Sequence, residues 1–208
     1  MTETLSQLAA LIERSPAATA ADPATREAIE RAAGELVEAL RTHHTGTADH
    51  SNRLAADCRR VGEELGLRPD VLFELELVAI LHDIGKLAVP TAILDLPRPL
   101  NSRERAVLRD HTIRGAEILA EIAGLAHLAP YVRASHERWD GTGYPDRLFG
   151  ERIPLAARIV FTVDAFDAMT NDRPYRGALG RAEARRRIIA GAGTAFDPRV
   201  VRALLSAV

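Results

Sequence analysis

The chain has 208 residues, 47% of them hydrophobic, with a formal net charge of −2 and a single cysteine, Cys58. That is enough apolar material for one folded domain, and the near-neutral charge gives no electrostatic case for binding a nucleic-acid polymer. A lone cysteine excludes an internal disulfide and no apolar run nears the roughly 20 residues of a membrane span, so a soluble, cytoplasmic protein that does not engage membranes is expected.

In chain order, Leu5, Leu8, Leu11 and Ile12 are spaced for a short amphipathic helix over Met1 to Arg14. Residues 15–21 read as a small-residue linker. Asp22-Pro23 is a helix start, with proline at the first helical position. The helix it opens runs to about Leu40 and shows one apolar face of Ile29, Ala33, Leu36 and Leu40. A break from Thr42 to Gly46 follows, in which His43 and His44 are expected to be solvated. The next helix covers about Thr47 to Leu65 and stops at Gly66. Pro69-Asp70 opens a further one to Leu81, apolar nearly all round and therefore expected to be central.

That helix runs into His82-Asp83-Ile84-Gly85-Lys86, and Lys86 is the only lysine in the chain. Asn101 with Glu104 forms a capping-box pattern before a helix expected from Ser102 to about Ile122. A short helix is expected from about Leu125 to Ser135. After it comes His136-Glu137-Arg138-Trp139-Asp140-Gly141-Thr142-Gly143-Tyr144-Pro145, whose glycines and proline rule out a continuous helix. This segment reads as a shaped loop extending to Pro154. Helices over Leu155–Met169, Arg181–Ala190 and Pro198–Ala207 complete the chain. Arg185-Arg186-Arg187 reads as a solvated face. No stretch alternates with period two, so the fold is expected to be all-α.

Burial cost points to the chemistry. A carboxylate buried without compensation costs several kcal/mol. Asp83 nonetheless ends the most apolar helix, and Asp164 directly follows Ala157-Arg158-Ile159-Val160-Phe161-Thr162-Val163 within a strongly apolar helix. A buried salt bridge with an arginine is one explanation for Asp164. A divalent metal site is the other, favoured by the number of such residues: His50, His82, Asp83, His111, His136 and Asp164 all fall on helices or helix ends that face one core. Imidazole and carboxylate without thiolate suit Fe, Mn, Zn or Co better than Ca. Two such ions are what phosphodiester hydrolysis uses.

The segments His82–Lys86 and His136–Pro145 resemble the two signatures of HD-GYP domains, a branch of the HD phosphohydrolase superfamily. His111-Thr112-Ile113-Arg114-Gly115, Asp164-Ala165-Phe166-Asp167-Ala168-Met169-Thr170, Arg173-Pro174-Tyr175-Arg176 and Phe196-Asp197-Pro198 match it as well. The resemblance covers residues 46–208. It implies an HD-domain helical bundle; residues 1–45 lie outside the resemblance and read as a short N-terminal helical extension, a candidate dimerisation helix pair or the stub of a signal-input region. It also implies a phosphodiesterase that hydrolyses cyclic di-GMP to linear pGpG, and in some members on to GMP, by in-line attack of a metal-bound hydroxide.

Carried over by residue, the resemblance assigns His50, His82, Asp83 and Asp164 to a first metal, with Asp83 bridging to a second held by His111 and His136. Lys86 would lie beside the scissile phosphate, as the catalytic partner of Asp83. Arg173 and Arg176 would meet substrate phosphate, Tyr144 would wall the pocket next to a guanine, and Gly143 would let the loop pass close to substrate. Fe or Mn would be the metals, with Zn, Ni or Co as alternatives. A second copy of the chain and a diguanylate cyclase or other signalling protein are the candidate partners.

Two positions depart from the family pattern. Ser135 replaces the first of two consecutive histidines, and Gly46 stands where trinuclear members carry a glutamate. At most a binuclear site is expected, its second metal weak, completed by water, or absent. The alternative reading is a catalytically impaired domain that binds a cyclic dinucleotide or a partner protein, or a hydrolase of another nucleotide.

Overall fold

The structure, a computed structural model, describes residues 23–171 and 177–207. Among them are ten α-helices and no strand: α1 (Pro23–His43), α2 (Thr45–Glu64), α3 (Pro69–Leu81), α4 (Thr91–Leu94), α5 (Ser102–Arg109), α6 (His111–Ala120), α7 (Ala129–Arg133), α8 (Leu155–Thr170), α9 (Arg181–Ala190) and α10 (Pro198–Ala207). Short 3-10 turns occupy Ile84–Ala88, Ala126–Leu128 and Gly150–Arg152. The expected all-α fold is observed. The expected helix over Met1 to Arg14 and the linker after it lie outside the described residues. None of the described helices is long and apolar enough to cross a membrane.

The core follows from helix patterning. On α1, Ile29, Ala33, Leu36 and Leu40 are buried, as their spacing predicts. They pack into the same cluster as Leu54 and Val61 of α2 and Leu75 and Val78 of α3. Fully burying one such leucine contributes roughly 1.5–3 kcal/mol. Helix α3 buries Leu72, Phe73, Leu75, Leu77, Val78, Ala79 and Leu81, residues on every side of its axis. It packs between α1, α2 and α8, while α8 also touches α2, α7, α9 and α10. The two helices with the strongest burial are therefore the two that carry, or run into, buried carboxylates.

Several boundaries differ from expectation. The break between the first two described helices is His44 alone. His43 Nε2 lies 2.9 Å from the Val89 carbonyl, and His44 Nε2 lies 3.3 Å from Asp95 Oδ1. Neither is merely solvated, because the loop after Lys86 folds back over them. The helix expected from Ser102 to Ile122 divides at Asp110 into α5 and α6. At that joint the Thr112 hydroxyl donates to the Arg109 carbonyl at 3.2 Å, and His111 Nδ1 donates to the Leu108 carbonyl. These side chains engage the same carbonyls that the backbone of a regular helix would use. The segment from Leu125 to Ser135 is a 3-10 turn followed by the five residues of α7.

Other expectations hold. Asn101 accepts from the Glu104 amide at 3.0 Å, and Glu104 accepts from the Asn101 amide at 2.8 Å, a complete capping box. Helices α9 and α10 have the expected limits. Arg186 and Arg187 are exposed and pair with Glu183, whereas Arg185 reaches the Leu205 carbonyl.

Candidate metal centre and active site

Six side chains converge from six parts of the fold. His50 comes from α2, His82 from the C-terminal end of α3, Asp83 from the start of the following 3-10 turn, His111 from the first residue of α6, His136 from the loop after α7, and Asp164 from α8. They form two triads, His50/His82/Asp164 and Asp83/His111/His136, each with its ligand atoms within 4.8 Å of one another. The close approach behind this convergence is legible at Gly85. A Cβ there would stand 1.8 Å from the His111 carbonyl oxygen and 2.4 Å from the Gly115 nitrogen. Only glycine lets the turn carrying Asp83 sit against α6.

Hydrogen bonds fix how the histidines face. His82 Nδ1 donates to the Ala79 carbonyl at 2.7 Å, and His111 Nδ1 donates to the Leu108 carbonyl. A carbonyl can only accept, so in the neutral rings both Nε2 atoms carry lone pairs. Those atoms point at Asp83: His82 Nε2 is 3.4 Å from Oδ2 and His111 Nε2 is 3.4 Å from Oδ1. Acceptors facing a carboxylate repel unless a cation lies between them. The Nε2 atoms of His111 and His136 are buried without a hydrogen-bond partner among the described residues. This donor set fits divalent metal ions, which the HD fold implies.

Burial opposes the charge on Asp83. As the site is acidified, positive charge on His82, Lys86, His111 and His136 outweighs it and holds the carboxyl well below the usual carboxylate range. Burial pushes His136 down to about 3, with His111 next to it adding to the effect, and it lowers His111 too. Both rings are neutral and ready to ligate near pH 7. Lys86 Nζ donates to Asp83 Oδ2 at 2.6 Å, one turn along.

His50 behaves differently. Its Nε2 lies 3.0 Å from Asp164 Oδ1 and its Nδ1 lies 2.7 Å from Asp167 Oδ2. Burial would lower its pKa, but the two carboxylates outweigh burial and raise it to about 9. Asp164 is held far below its ordinary value, since contact with His50 and the field of His82 overcome burial. Asp167 went unassigned in the sequence, although its position three residues after Asp164 puts both on one helix face.

The loop from His136 is built to hold its shape. Buried Glu137 accepts from the Asp146 amide at 2.7 Å. The Tyr144 amide donates to the His136 carbonyl at 3.2 Å, and the Trp139 and Asp140 amides donate to Ala195 and Thr194 across the gap to the segment before α10. Gly143 is buried, and a Cβ there would stand 2.3 Å from the Arg138 nitrogen. The lack of a side chain thus serves the loop's own closure. Arg158 pairs with Asp197 at 2.6 Å beneath the loop and donates to the Ile153 carbonyl. The Tyr144 ring stacks on His136, with centroids 5.2 Å apart and planes within 4°. Burial raises the Tyr144 hydroxyl pKa, and Asp83 adds to the rise.

Ser135 is buried, with its hydroxyl oxygen lacking a partner among the described residues. Gly46 lies in the first turn of α2. Arg173 and Arg176 lie outside the described residues. Sequence reasoning placed the six ligand candidates, Lys86 and Tyr144 in one region, and the structure brings those eight together. It missed Asp167 and Glu137, which touch the cluster or its loop rather than the space in front of it.

A bundle of helices that gathers histidines and aspartates from six segments is an arrangement that could hold divalent metal ions. Residues 35–200 match the HD domain family, and the chain belongs to that family, in its HD-GYP branch. It is 38% identical over 187 residues to a cyclic di-GMP phosphodiesterase response regulator of Xanthomonas campestris, a match spanning 86% of this chain and 47% of that protein. It is 37% identical over 186 residues to a 3′3′-cGAMP-specific phosphodiesterase of Vibrio cholerae, covering 89% of this chain and 40% of the relative. The chain thus spans less than half the length of these curated relatives. The crystal structure of a cyclic GMP-AMP-specific phosphodiesterase of V. cholerae shares the fold, with a TM-score of 0.62 and 21% identity over 82% of this chain and 46% of that one.

Proposed function

We propose that this chain is a phosphodiesterase that hydrolyses cyclic di-GMP to linear pGpG, and on to GMP where the second bond is also cut, in the cytoplasm. The observation that carries this reading is the pair of facing triads, with Asp83 between His82, His111 and Lys86. The similarity to cyclic dinucleotide phosphodiesterases supports it. His50, His82 and Asp164, with Asp83, would hold one divalent ion, and Asp83, His111 and His136 the other. Such ions polarise a phosphoryl oxygen and lower the pKa of water. Nitrogen and oxygen donors without thiolate suit Fe or Mn, with Zn, Ni or Co as alternatives.

The chain's own groups then divide the remaining work. Asp83 stays ionised and presents a carboxylate oxygen to each of the ligand histidines His82 and His111. Lys86, held by Asp83, stands ready to neutralise a non-bridging phosphate oxygen. Tyr144 excludes water from the His136 side of the centre. Arg173 and Arg176 suit bidentate phosphate contacts.

The test is incubation of the purified protein with cyclic di-GMP and Mn²⁺ or Fe²⁺ under reducing conditions, with metal per chain measured in parallel. Linear product is expected, together with a loss of metal and rate in Asp83→Ala. Unchanged metal content in that variant would sink the site assignment.

Ser135 favours a second reading, a domain that binds cyclic nucleotide or a partner without turnover. Binding with no linear product, and a gain of metal and rate in Ser135→His, would favour it.

A further inference from the structure

Beside the metal centre lies a cavity of about 380 Å³ with Tyr144 on its wall, whose α5 residues the assignments above leave unused. Its volume is within the roughly 300–1,000 Å³ of ligand pockets. One wall is a single face of α5, with Ser102, Arg105, Ala106 and Arg109 at helical spacing. The opposite wall is Tyr144 with Pro145. The Arg109 guanidinium carbon stands 5.0 Å over the Tyr144 ring, and the same ring stacks on His136. One aromatic ring therefore joins Arg109 to a metal-ligand candidate.

The charges around Arg109 are already spoken for. Asp110, which also lines the cavity, pairs with Arg114 at 2.9 Å, and Arg114 also binds Glu117. Glu104 is held by Arg98. Arg105 donates to the Leu100 carbonyl. Among the described residues no carboxylate pairs with Arg109, although it is flanked by paired arginines. Its guanidinium carbon lies over an aromatic ring, and among the described residues its fork of donors has no hydrogen-bond partner. A guanidinium held over an aromatic face by cation–π attraction loses less freedom when its fork binds a flat partner.

A planar fork of donors fits an edge that offers two acceptors side by side. Guanine presents such an edge through O6 and N7, whereas adenine presents an acceptor next to a donor. We infer that Arg109 reads a guanine of the substrate in the cavity between α5 and Tyr144, and that it sets the preference for guanine- over adenine-containing cyclic dinucleotides. This rests on the cyclic dinucleotide reading of the metal centre and adds the residue that selects the base.

Binding to protein kept metal-free with chelator separates this inference from turnover. Dissociation constants for cyclic di-GMP and cyclic di-AMP are measured by calorimetry for the full chain, Arg109→Met and Arg109→Lys. The wild-type chain is expected to prefer cyclic di-GMP, and Arg109→Met to weaken cyclic di-GMP by about tenfold or more while leaving cyclic di-AMP unchanged, the scale of a bidentate arginine–guanine contact. Arg109→Lys keeps the charge without the fork and is expected to lose the same preference. Equal weakening of both nucleotides, retained preference in either variant, or no base preference in the wild type would overturn the inference. Turnover of cyclic di-GMP by the Mn²⁺-loaded wild type is scored separately. Its absence would count against the proposed hydrolysis while leaving the binding result to decide Arg109.

Discussion

His50 has a carboxylate on each ring nitrogen, and both contacts can be hydrogen bonds only if both nitrogens carry hydrogen. The metal-free native ring is therefore an imidazolium, consistent with a pKa raised to about 9 from 6.5. Between those values the native state keeps a proton that the unfolded chain releases. The stabilisation is complete below pH 6.5 and is lost as pH climbs to 9. One such proton corresponds to about 1.4 kcal/mol per pH unit. Urea unfolding in chelator is expected to show roughly 2–3 kcal/mol less stability at pH 9 than at pH 6.5, with most of that slope absent in His50→Gln. A metal ion on Nε2 would displace one proton and leave Nδ1 donating to Asp167. That arrangement makes Asp167 a positioning residue, because a ligand histidine is usually oriented by a carboxylate on its other nitrogen. Asp167→Ala is expected to bind Mn²⁺ about 10–100-fold more weakly by titration, with the fold intact by circular dichroism.

Among the elements, the 3-10 turn from Ile84 to Ala88 and helix α6 form the tightest joint near the site. Gly85 lies against backbone atoms of His111 and Gly115, which cannot swing aside like a side chain. Gly85→Ala is expected to cost at least the roughly 1–3 kcal/mol of an overpacked core, seen as a lower urea midpoint. It should also separate Asp83 from His111 and reduce metal binding. The elements were largely legible beforehand. Apolar spacing on α1, the Asn101–Glu104 cap and the proline-opened α3 and α10 are local signals, and those helices start where they were expected. The joint at Asp110 was not legible, because it rests on side chains of His111 and Thr112 turning back onto preceding carbonyls. His43 was misread for a related reason. Its partner, Val89, is 46 residues away and meets it only once the loop after Lys86 folds back. The site divides along the same line. Ligand candidates announced themselves as charges in apolar helices, whereas Asp167, Glu137 and Arg109 show their roles only through what they touch.

For the whole molecule, the centre would act as a clamp once it holds metal. Its six ligand candidates come from α2, α3, the turn after it, α6, the loop after α7, and α8, so no two neighbouring elements hold it alone. Without metal, the lone pairs of His82 and His111 face a carboxylate, and the buried His136 Nε2 has no hydrogen-bond partner among the described residues. A divalent ion at each triad would remove that repulsion, and the two together would tie the six segments. The unfolded chain cannot assemble such a set, so binding free energy adds to folding free energy. At a metal concentration 100 times the dissociation constant, the gain is about 2.7 kcal/mol. For a chain of this size that corresponds to a rise in Tm of roughly 5–11 °C. Thermal unfolding is expected to shift upward by this amount when Mn²⁺ is added to chelator-treated protein, and back down with excess chelator. The Asp83→Ala variant should show little or no shift, because it removes the carboxylate that both triads face. Ser135→His should enlarge the shift, since it adds a nitrogen donor beside His136 where a buried hydroxyl now lacks a partner. A wild-type Tm insensitive to Mn²⁺, Fe²⁺ and Zn²⁺ alike would show that the convergence of these six residues serves the fold without a metal.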